Sequence, residues 1–375
     1  MTSPIISLAK KMITFDSRSR STNLPLVEFL EEELSDFEIE RVSYVDANGI
    51  EKAALAARRG PVGAPCLGLS GHLDTVPPID WSRDPFSPEV ENGRLFGLGA
   101  TDMKGPISAA IYAARQAPTD IAVLLLLTAD EEWTKEGARR LIDESELLRA
   151  SKPSGIVVVE PTGLRPVRGH RVDIQFVAAA RGVQAHSSTA EGRNANINLI
   201  PFLSEMRELH LELRENPQHR DSAYYPPWCD LNIVIDNYGA APNVTVGVAT
   251  CRMKLRYSKS VDPEWIVDRV MGSAKQHGLD LSIQREAPPP EIPSNHPLIA
   301  LASRVSKKEA EVVGFGTDAS ELSRAAPCVV FGPGSISDAH TPNESIDVIE
   351  LNRGGDMLVD FLRHSVGRLT PAGQV

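Results

Sequence analysis

The sequence has 375 residues, of which 42% are hydrophobic, and its formal net charge is -11 at pH 7. A chain of this length exceeds what one hydrophobic core usually holds, so two domains are expected. The acidic balance and the lack of lysine or arginine runs argue against nucleic acid or anionic membrane as the main partner. No signal-like N-terminus and no stretch of about 18 apolar residues occur, which predicts a cytoplasmic protein that does not span a membrane.

The first part of the chain alternates helical and strand-like patterns. A helix is predicted over residues 24–34, with Pro25 near its start and apolar residues recurring along one face. Continuous apolar runs follow, which are typical of strands buried on both faces of an α/β sheet. These runs cover residues 66–70, 121–127, 156–159 and, near the C-terminus, 329–331.

The pattern changes between about residues 172 and 283, where alternating strands and two helices predict a small α+β unit with an antiparallel sheet. The proline-rich stretch 287–293 is typical of a linker that returns to the first domain. The predicted strands include 172–176 and 230–234, and the predicted helices are 196–213 and 263–277. Overall the sequence predicts an α/β fold, in which a mostly parallel central sheet is flanked by helices, with residues 169–287 inserted between 1–168 and 288–375.

Residues with nitrogen or oxygen donors lie at or near the ends of the apolar runs. His72 and Asp74 are two positions apart, so on an extended chain they share a face, and a carboxylate beside a histidine orients a metal-binding imidazole. A His-x-Asp pair alone is also typical of an ordinary strand end. Ligands of α/β sheets gather at the carboxyl ends of the strands. The further donors expected there are Asp102, Glu131, Glu132, Glu160 and His340.

This mixed set of histidines and carboxylates suits zinc, and equally cobalt or manganese. Two histidines, one aspartate and two glutamates converging there make five protein ligands, which exceed the three or four that one catalytic zinc takes while it keeps a position open for water. The set therefore predicts two divalent metal ions, with Asp102 as the natural bridge between them.

The ordered motifs around these residues resemble the dizinc aminoacylase and carboxypeptidase group, which includes acetylornithine deacetylase, succinyl-diaminopimelate desuccinylase and carboxypeptidase G. The resemblance implies His72 and Glu160 on one ion, Glu132 and His340 on the other, and a cis peptide after Asp102. It also implies a catalytic dizinc domain formed by 1–168 and 288–375, a lid and dimerisation domain formed by 169–287, and a homodimer. The motifs are residues 71–77, 97–105, 130–132, 160–162 and 339–344.

The resemblance assigns Glu131 as the general base that activates water and then protonates the leaving amine. A metal ion lowers the pKa of its water towards about 7, and a general base typically adds a factor of about 100 to 10,000. The other interpretation of Glu131 and Glu132 is the acidic first turn of a helix that continues through 135–139. Both interpretations can hold together.

The inserted segment contains a second histidine motif, Gly-x-x-Ala-His-Ser, centred on His186. By itself such a histidine is typical of a surface or cap position, but the resemblance implies that it hydrogen-bonds the developing oxyanion, often from the other subunit. Asn243 and Arg256 match the group's Asn-Val segment and its later arginine, and an arginine suits a substrate carboxylate. A turn asparagine and an exposed strand arginine are the alternative. Gly332 and Gly334 would let the backbone approach the substrate, or form an ordinary strand exit.

Two positions depart from the group's pattern. Ala319 and Ser320 stand where acetylornithine deacetylases and desuccinylases commonly place an arginine, so a carboxylate contact is either missing or supplied elsewhere. Lys254 stands where relatives often carry an acid, although a solvated strand residue is the simpler interpretation. Four cysteines without CxxC spacing, Cys66, Cys229, Cys251 and Cys328, are predicted to be reduced packing residues.

The sequence thus predicts a metal-dependent amidohydrolase acting on a small-molecule N-acyl amino acid, with Glu131, Asp74 and His186 as catalytic residues. Deacetylation of N-acetylornithine, a step of arginine biosynthesis, is the reaction that the resemblance favours. Desuccinylation of a diaminopimelate derivative, or dipeptidase or carboxypeptidase activity, is the alternative within the fold. A noncatalytic metal-dependent binding protein is the alternative from another class, against which Glu131 and the complete ligand set argue.

Overall fold

Buried apolar strands organise the structure, a computed structural model that describes residues 3–365. Strands β3 (Cys66–His72) and β6 (Ala122–Thr128) are buried along their whole length, as expected for strands covered on both faces. The strands are β1 (Glu38–Val45), β2 (Glu51–Arg59), β3 (Cys66–His72), β4 (Glu89–Glu91), β5 (Arg94–Phe96), β6 (Ala122–Thr128), β7 (Ile156–Val158), β8 (Val167–His170), β9 (Val172–Arg181), β10 (Asp230–Asp236), β11 (Val248–Tyr257), β12 (Asp280–Arg285), β13 (Glu311–Val313), β14 (Cys328–Val330) and β15 (Ser345–Asp347).

The helices lie close to the predicted ranges wherever a helix was predicted, apart from the start of α4 (Glu136–Glu144). The predicted helix 24–34 is α2 (Leu24–Glu33), which begins at the predicted residue. The helices predicted at 196–213 and 263–277 are α6 (Asn196–Glu215) and α7 (Glu264–Gln276). The helices are α1 (Pro4–Ile13), α2 (Leu24–Glu33), α3 (Lys104–Arg115), α4 (Glu136–Glu144), α5 (Glu146–Ser151), α6 (Asn196–Glu215), α7 (Glu264–Gln276), α8 (Pro297–Ser306), α9 (Ala319–Leu322) and α10 (Val348–Ser365), with a 3-10 turn at Pro217–His219.

The largest sheet in the described chain has the strand order β1-β2-β6-β3-β7-β14-β8-β13. Its four central strands, β6, β3, β7 and β14, run parallel. The flanking pairs β1–β2, β2–β6 and β14–β8 are antiparallel. A separate sheet with the order β10-β11-β9-β12 is antiparallel throughout. The predicted fold class is confirmed, and the antiparallel flanks escaped prediction because a buried apolar strand has the same pattern in either direction.

The chain divides into two units, each with its own hydrophobic core. The first contains the described residues up to Gly169, Pro290–Val312 and the described residues from Thr317, and the second contains His170–Pro289 and Val313–Gly316. The sequence placed the corresponding boundaries after residues 168 and 287 and put 313–316 in the first domain. Residues 1–2 and 366–375 of the predicted catalytic domain lie outside the described residues. The functional roles given to the two domains stay predictions.

Two further sequence-based predictions concern cysteines and membrane spans. All four cysteines are buried and free, as predicted. Of the helices within residues 3–365, none combines the length and the apolar character that crossing a membrane requires.

Candidate active site

The predicted ligands meet at the carboxyl ends of the parallel strands. His72 is the last residue of β3, and Glu160 follows the end of β7 by two positions. Glu132 lies in the turn after β6, and Asp102 lies just before α3. The peptide bond between Asp102 and Met103 is cis, as the resemblance implied. Because parallel strands present their carboxyl ends at one sheet edge, residues far apart in sequence come together here.

The ligand atoms form two groups that share Asp102. In one group, His72 Nε2 lies 3.0 Å from Asp102 Oδ1 and 4.0 Å from Glu160 Oε2. In the other, His340 Nε2 lies 3.3 Å from Asp102 Oδ2 and 2.7 Å from Glu132 Oε1. Each oxygen of the Asp102 carboxylate therefore faces a different histidine, which is the arrangement expected of a ligand that bridges two ions.

The spacing and charge of these groups fit divalent metal ions. Four ligands about 2.0–2.2 Å from a tetrahedral zinc lie roughly 3.3 Å from one another. The ligand atoms of each group lie within 4.8 Å of one another, so an ion fits among them. Burial raises the pKa of Glu132 and of Glu160, because ionised carboxylates crowded in a poorly solvated space need a counter-charge. Two divalent cations would supply that charge.

Glu131 is largely buried beside this centre and is not one of the clustered ligands. Burial raises the pKa of Glu131 well above its ordinary value, and Lys135 Nζ lies 4.0 Å from its Oε1. A carboxylate with a raised pKa is suited to exchanging a proton with a reacting group near neutral pH.

Glu131 and Glu132 do not form the first turn of a helix, so that interpretation of the pair is wrong. The helix α4 begins only at Glu136. The residues before it form a tight turn, in which the N–H groups of Trp133, Thr134 and Lys135 all donate to the Asp130 carbonyl, at 3.2, 2.9 and 2.6 Å. Asp130 and Lys135 adopt left-handed backbone conformations, with φ of 60° and 57°, which interrupt the helical path.

Asp74 contacts His72 differently from the prediction. The Nδ1 atom of His72 lies 3.0 Å from the backbone carbonyl of Asp74 and 3.7 Å from its carboxylate. The Asp74 carboxylate instead accepts hydrogen bonds from the backbone N–H groups of Glu131 and Glu132, at 3.1 and 3.2 Å. It thus supports the turn that carries the proposed base, a function that the His-x-Asp spacing could not indicate because those two N–H groups are far away in sequence.

Two buried carboxylates near the centre had no role assigned from the sequence. Glu344 accepts hydrogen bonds from the backbone N–H groups of Gly99, Thr101 and Asp102, at 3.1, 2.7 and 2.8 Å, and so holds the loop that presents Asp102. Its place in the motif 339–344 was the available signal. Asp318 accepts a hydrogen bond from Thr128 Oγ1 at 2.5 Å, and its Oδ1 has no hydrogen-bond partner among the described residues. Burial raises the pKa of Asp318 to about 7.

Three of the predicted site residues lie in the second unit. His186 is exposed and its Nδ1 lies 2.8 Å from Ser188 Oγ. Asn243 is close to it, because the N–H of Ser187 donates to the Asn243 carbonyl at 2.9 Å. Arg256, on β11, has its Nε 3.3 Å from Asp173 Oδ1, and Lys254 pairs with the same carboxylate. The predicted roles of His186, Asn243 and Arg256 in substrate binding or catalysis stay predictions.

The glycine loop after β14 packs against the strand end that carries Glu160. A Cβ atom on Gly332 would lie 2.3 Å from the Val159 carbonyl oxygen and 2.6 Å from the Glu160 carbonyl oxygen. Gly334 has a φ of 94° and accepts a hydrogen bond from the N–H of Gly163 at 2.6 Å. These contacts explain why glycine occupies both positions even if neither residue touches a substrate. Substrate binding by Gly332 and Gly334 stays a prediction.

Ser320 is fully buried in α9, and its hydroxyl donates to the Thr317 carbonyl at 3.1 Å. It is therefore engaged within its own turn. It does not supply the positive charge of the arginine that the resemblance led us to expect near this position.

Comparison with known proteins identifies close similarities in sequence and in fold. The model of the peptidase family M20/M25/M40 matches residues 68–364. An acetylornithine deacetylase of Pectobacterium atrosepticum is 30% identical over 329 residues, which cover 84% of each chain. The M20 family metallo-carboxypeptidase Sso-CP2 of Sulfolobus solfataricus superimposes with a TM-score of 0.75 at 17% identity, over 96% of this chain and 99% of that one. The Bacillus subtilis protein YXEP, a dinuclear metal-binding peptidase from the M20 family, gives a TM-score of 0.66 at 14% identity, over 97% and 98%.

Proposed function

This chain belongs to peptidase family M20/M25/M40 and is a metal-dependent hydrolase of small-molecule amides, and on that premise we propose that it deacylates N-acyl amino acids. N-acetylornithine or a related N-acetyl amino acid is the proposed substrate, and release of ornithine would place the reaction in arginine biosynthesis. The observation that carries the proposal is the pair of ligand groups sharing Asp102, the one with His72 and Glu160 buried and the one with Glu132 and His340 partly open, with Glu131 beside them. The similarity to acetylornithine deacetylases over most of the chain favours the acetyl group.

The proposed metal ligands are His72, Asp102 and Glu160 on one side and Asp102, Glu132 and His340 on the other. When bound, two zinc ions, or cobalt or manganese ions, would polarise the amide carbonyl and acidify water.

In this proposal Glu131 takes a proton from the attacking water and delivers it to the nitrogen of the leaving amine. The water oxygen bonds to the carbonyl carbon, and the C–N bond breaks as the nitrogen is protonated, which yields an amine and a carboxylic acid. The proton of that acid passes to the amine, so the products at neutral pH are a carboxylate and an ammonium ion. Burial supports the role, since it raises the pKa of Glu131 and so allows the residue both to accept and to donate a proton. The Asp74 carboxylate keeps the Glu131 turn in place through two backbone hydrogen bonds.

The proposal assigns binding of the oxyanion and of the substrate carboxylate to residues of the second unit. We propose that His186 donates a hydrogen bond to the oxyanion, from the partner subunit of a homodimer, and that Asn243 and Arg256 bind the substrate. One oxyanion donor is typically worth about 3 kcal/mol of transition-state stabilisation. Arg256 already pairs with Asp173, so a substrate carboxylate would share or displace that partner.

The experiment that tests the proposed function measures amine release by the zinc- or cobalt-loaded protein. The substrates are N-acetylornithine, N-acetylcitrulline, N-succinyl-diaminopimelate and simple dipeptides, so the rates on acetyl, succinyl and peptide substrates can be compared directly. We expect turnover of an N-acetyl amino acid. The Glu131→Gln variant should retain its metal and lose about 100- to 10,000-fold in kcat, because it keeps the side-chain shape but no longer accepts the proton.

The matched control is Glu28→Gln, which changes an exposed glutamate of α2 in the same unit and should behave as the unmodified protein. Preference for the succinyl substrate or for dipeptides would replace the deacetylase assignment by the corresponding alternative. A metal-loaded protein with no turnover on any substrate would favour a binding role. Substantial activity in Glu131→Gln would refute the assigned base.

A further inference from the structure

A buried lysine lies beneath the proposed active site, in a strand that is otherwise suited to a purely apolar environment. Lys52 belongs to β2, where it is followed by the buried run Ala53–Ala57, and its own exposure is 1%. A lysine is rarely buried to this extent unless it is paired. Its position in the sheet and its partners therefore indicate what it does.

The register of the sheet places Lys52 beside two polar side chains. Tyr44 on β1 is its direct cross-strand partner. On the other side, Leu55 of β2 is opposite Leu127 of β6, so continuing the antiparallel register by three residues brings Lys52 opposite Asp130. Asp130 is the residue immediately before Glu131.

Lys52 and Tyr44 together hold the Asp130 carboxylate. Lys52 Nζ donates to Asp130 Oδ1 at 2.6 Å, and Tyr44 Oη donates to Asp130 Oδ2 at 2.8 Å. The carbonyl of the same Asp130 accepts the N–H groups that close the turn containing Glu131 and Glu132. Fixing Asp130 therefore fixes the start of that turn.

A second chain of hydrogen bonds leads from Lys52 to the same turn. Lys52 Nζ also donates to the Ser19 carbonyl at 2.6 Å, and Ser19 Oγ donates to Asp74 Oδ2 at 2.8 Å. Asp74 in turn accepts the backbone N–H groups of Glu131 and Glu132. Lys52 is thus the residue at which the two supports of the Glu131 turn meet.

We propose that Lys52 is a positioning residue for the active site, which holds the Glu131–Glu132 turn through Asp130 on one side and through Ser19 and Asp74 on the other. The proposal rests on the proposed function, in which Glu131 of this turn is the general base and Glu132 is a metal ligand. A contribution to stability does not by itself explain a buried lysine at this position, since replacing a buried ion pair by apolar residues is often neutral or stabilising. A need for accurate placement of the turn accounts for a buried ion pair beside the apolar run Ala53–Ala57.

The test compares Lys52→Met with Lys11→Met, a change of an exposed lysine on α1 in the same unit. Metal content, melting temperature, the visible absorption of the cobalt-loaded protein and steady-state kinetics on N-acetylornithine are measured well below the melting temperature. We expect Lys52→Met to retain its metal, to lose about 10- to 100-fold in kcat and to change KM much less. Its cobalt spectrum should change, because Glu132 lies on the displaced turn. Tyr44→Phe removes only one donor to Asp130 and should give a smaller loss of kcat in the same direction.

Folded, metal-loaded Lys52→Met and Tyr44→Phe proteins with the kcat and the cobalt spectrum of the control would overturn the proposal, even if their melting temperatures were lower. If Lys52→Met does not fold, the kcat and the cobalt spectrum of Tyr44→Phe, compared with those of the control, test the proposal. If the unmodified protein hydrolyses none of the substrates, the proposed function has failed and the cobalt spectrum alone decides: a changed spectrum supports the positioning role, and an unchanged one refutes it.

Discussion

At the scale of single residues, the metal centre depends on the sharing of Asp102 between two histidines. Hydrogen bonds with Asp102 and Glu132 raise the pKa of His340 to about 10. Burial opposes protonation of His72, but its hydrogen bond to Asp102, together with the negative charges of Glu160, Asp102 and Asp74, raises the pKa of His72 as well. The raised pKa of each ring favours its protonated form in the metal-free protein, so a metal ion competes with protons for these nitrogen atoms.

We predict that zinc binding releases protons and weakens as the pH falls. The raised pKa of His340 means that its protonated ring stabilises the metal-free fold fully below the unfolded value of 6.5, and that this contribution is lost as the pH rises through about 10. Metal and proton thus compete for the ring, so acid favours the metal-free form. Zinc titration calorimetry at pH 8, repeated in buffers of different ionisation enthalpy, should show a buffer-dependent heat. The same heat in every buffer would contradict this prediction.

At the scale of elements, the site depends on how closely the loop after β14 packs against the end of β7. Gly332 accepts hydrogen bonds from the N–H groups of Thr162 and Leu164, at 3.3 and 3.0 Å. These residues follow Glu160 by two and four positions, so the glycine loop holds the segment next to one metal ligand. Close backbone approach of this kind leaves no room for a side chain.

We predict that Gly332→Ala destabilises the fold by about 1–3 kcal/mol and weakens metal binding, because the added methyl group would overlap the carbonyl oxygens of Val159 and Glu160. Chemical denaturation and zinc affinity measure the two effects. Gly272→Ala is the matched control, since no atom lies within 4 Å of the added Cβ in the middle of α7. An alanine there should be neutral or stabilising by about 0.5–1 kcal/mol. Equal stability of the two variants would argue against close packing at Gly332.

At the scale of the whole molecule, the second unit presents surfaces suited to self-association. Strand β10 is an outermost strand of its sheet, with an open backbone edge. Its residue Ile235 is 53% exposed, and Ile197 and Ile200 on α6 are 68% and 59% exposed. An open strand edge and exposed apolar side chains are features that a second copy of the chain can cover. They support the proposed homodimer.

We predict that the protein sediments as a dimer and that Ile235→Lys shifts it towards the monomer, because a charge at a buried interface costs free energy. Val62→Lys is the control, since Val62 is 91% exposed in the first unit and should not affect association. If His186 acts from the partner subunit, the monomeric variant should also lose activity. A fully active monomer would remove the trans role of His186.

The sequence by itself determined the type of each element for which it predicted a range, and the chemistry of the ligands. Apolar runs ending near His72, Glu132 and Glu160 specify buried strands with donors at their carboxyl ends, because burial on both faces requires such runs and a parallel sheet brings their ends together. The family motifs supplied the pairing of those ligands. Such features depend on short segments of the chain, so they can be predicted without the tertiary structure.

Only the tertiary structure decided which distant groups hold the site in place. The Asp74 carboxylate supports the Glu131 turn, while the Asp74 backbone carbonyl contacts the imidazole of His72, and Glu344 holds the loop of Asp102. Lys52 meets Asp130 because of the register between β2 and β6. These contacts join residues tens to hundreds of positions apart. They depend on strand alignment and close packing, and short-range sequence patterns do not specify either of these.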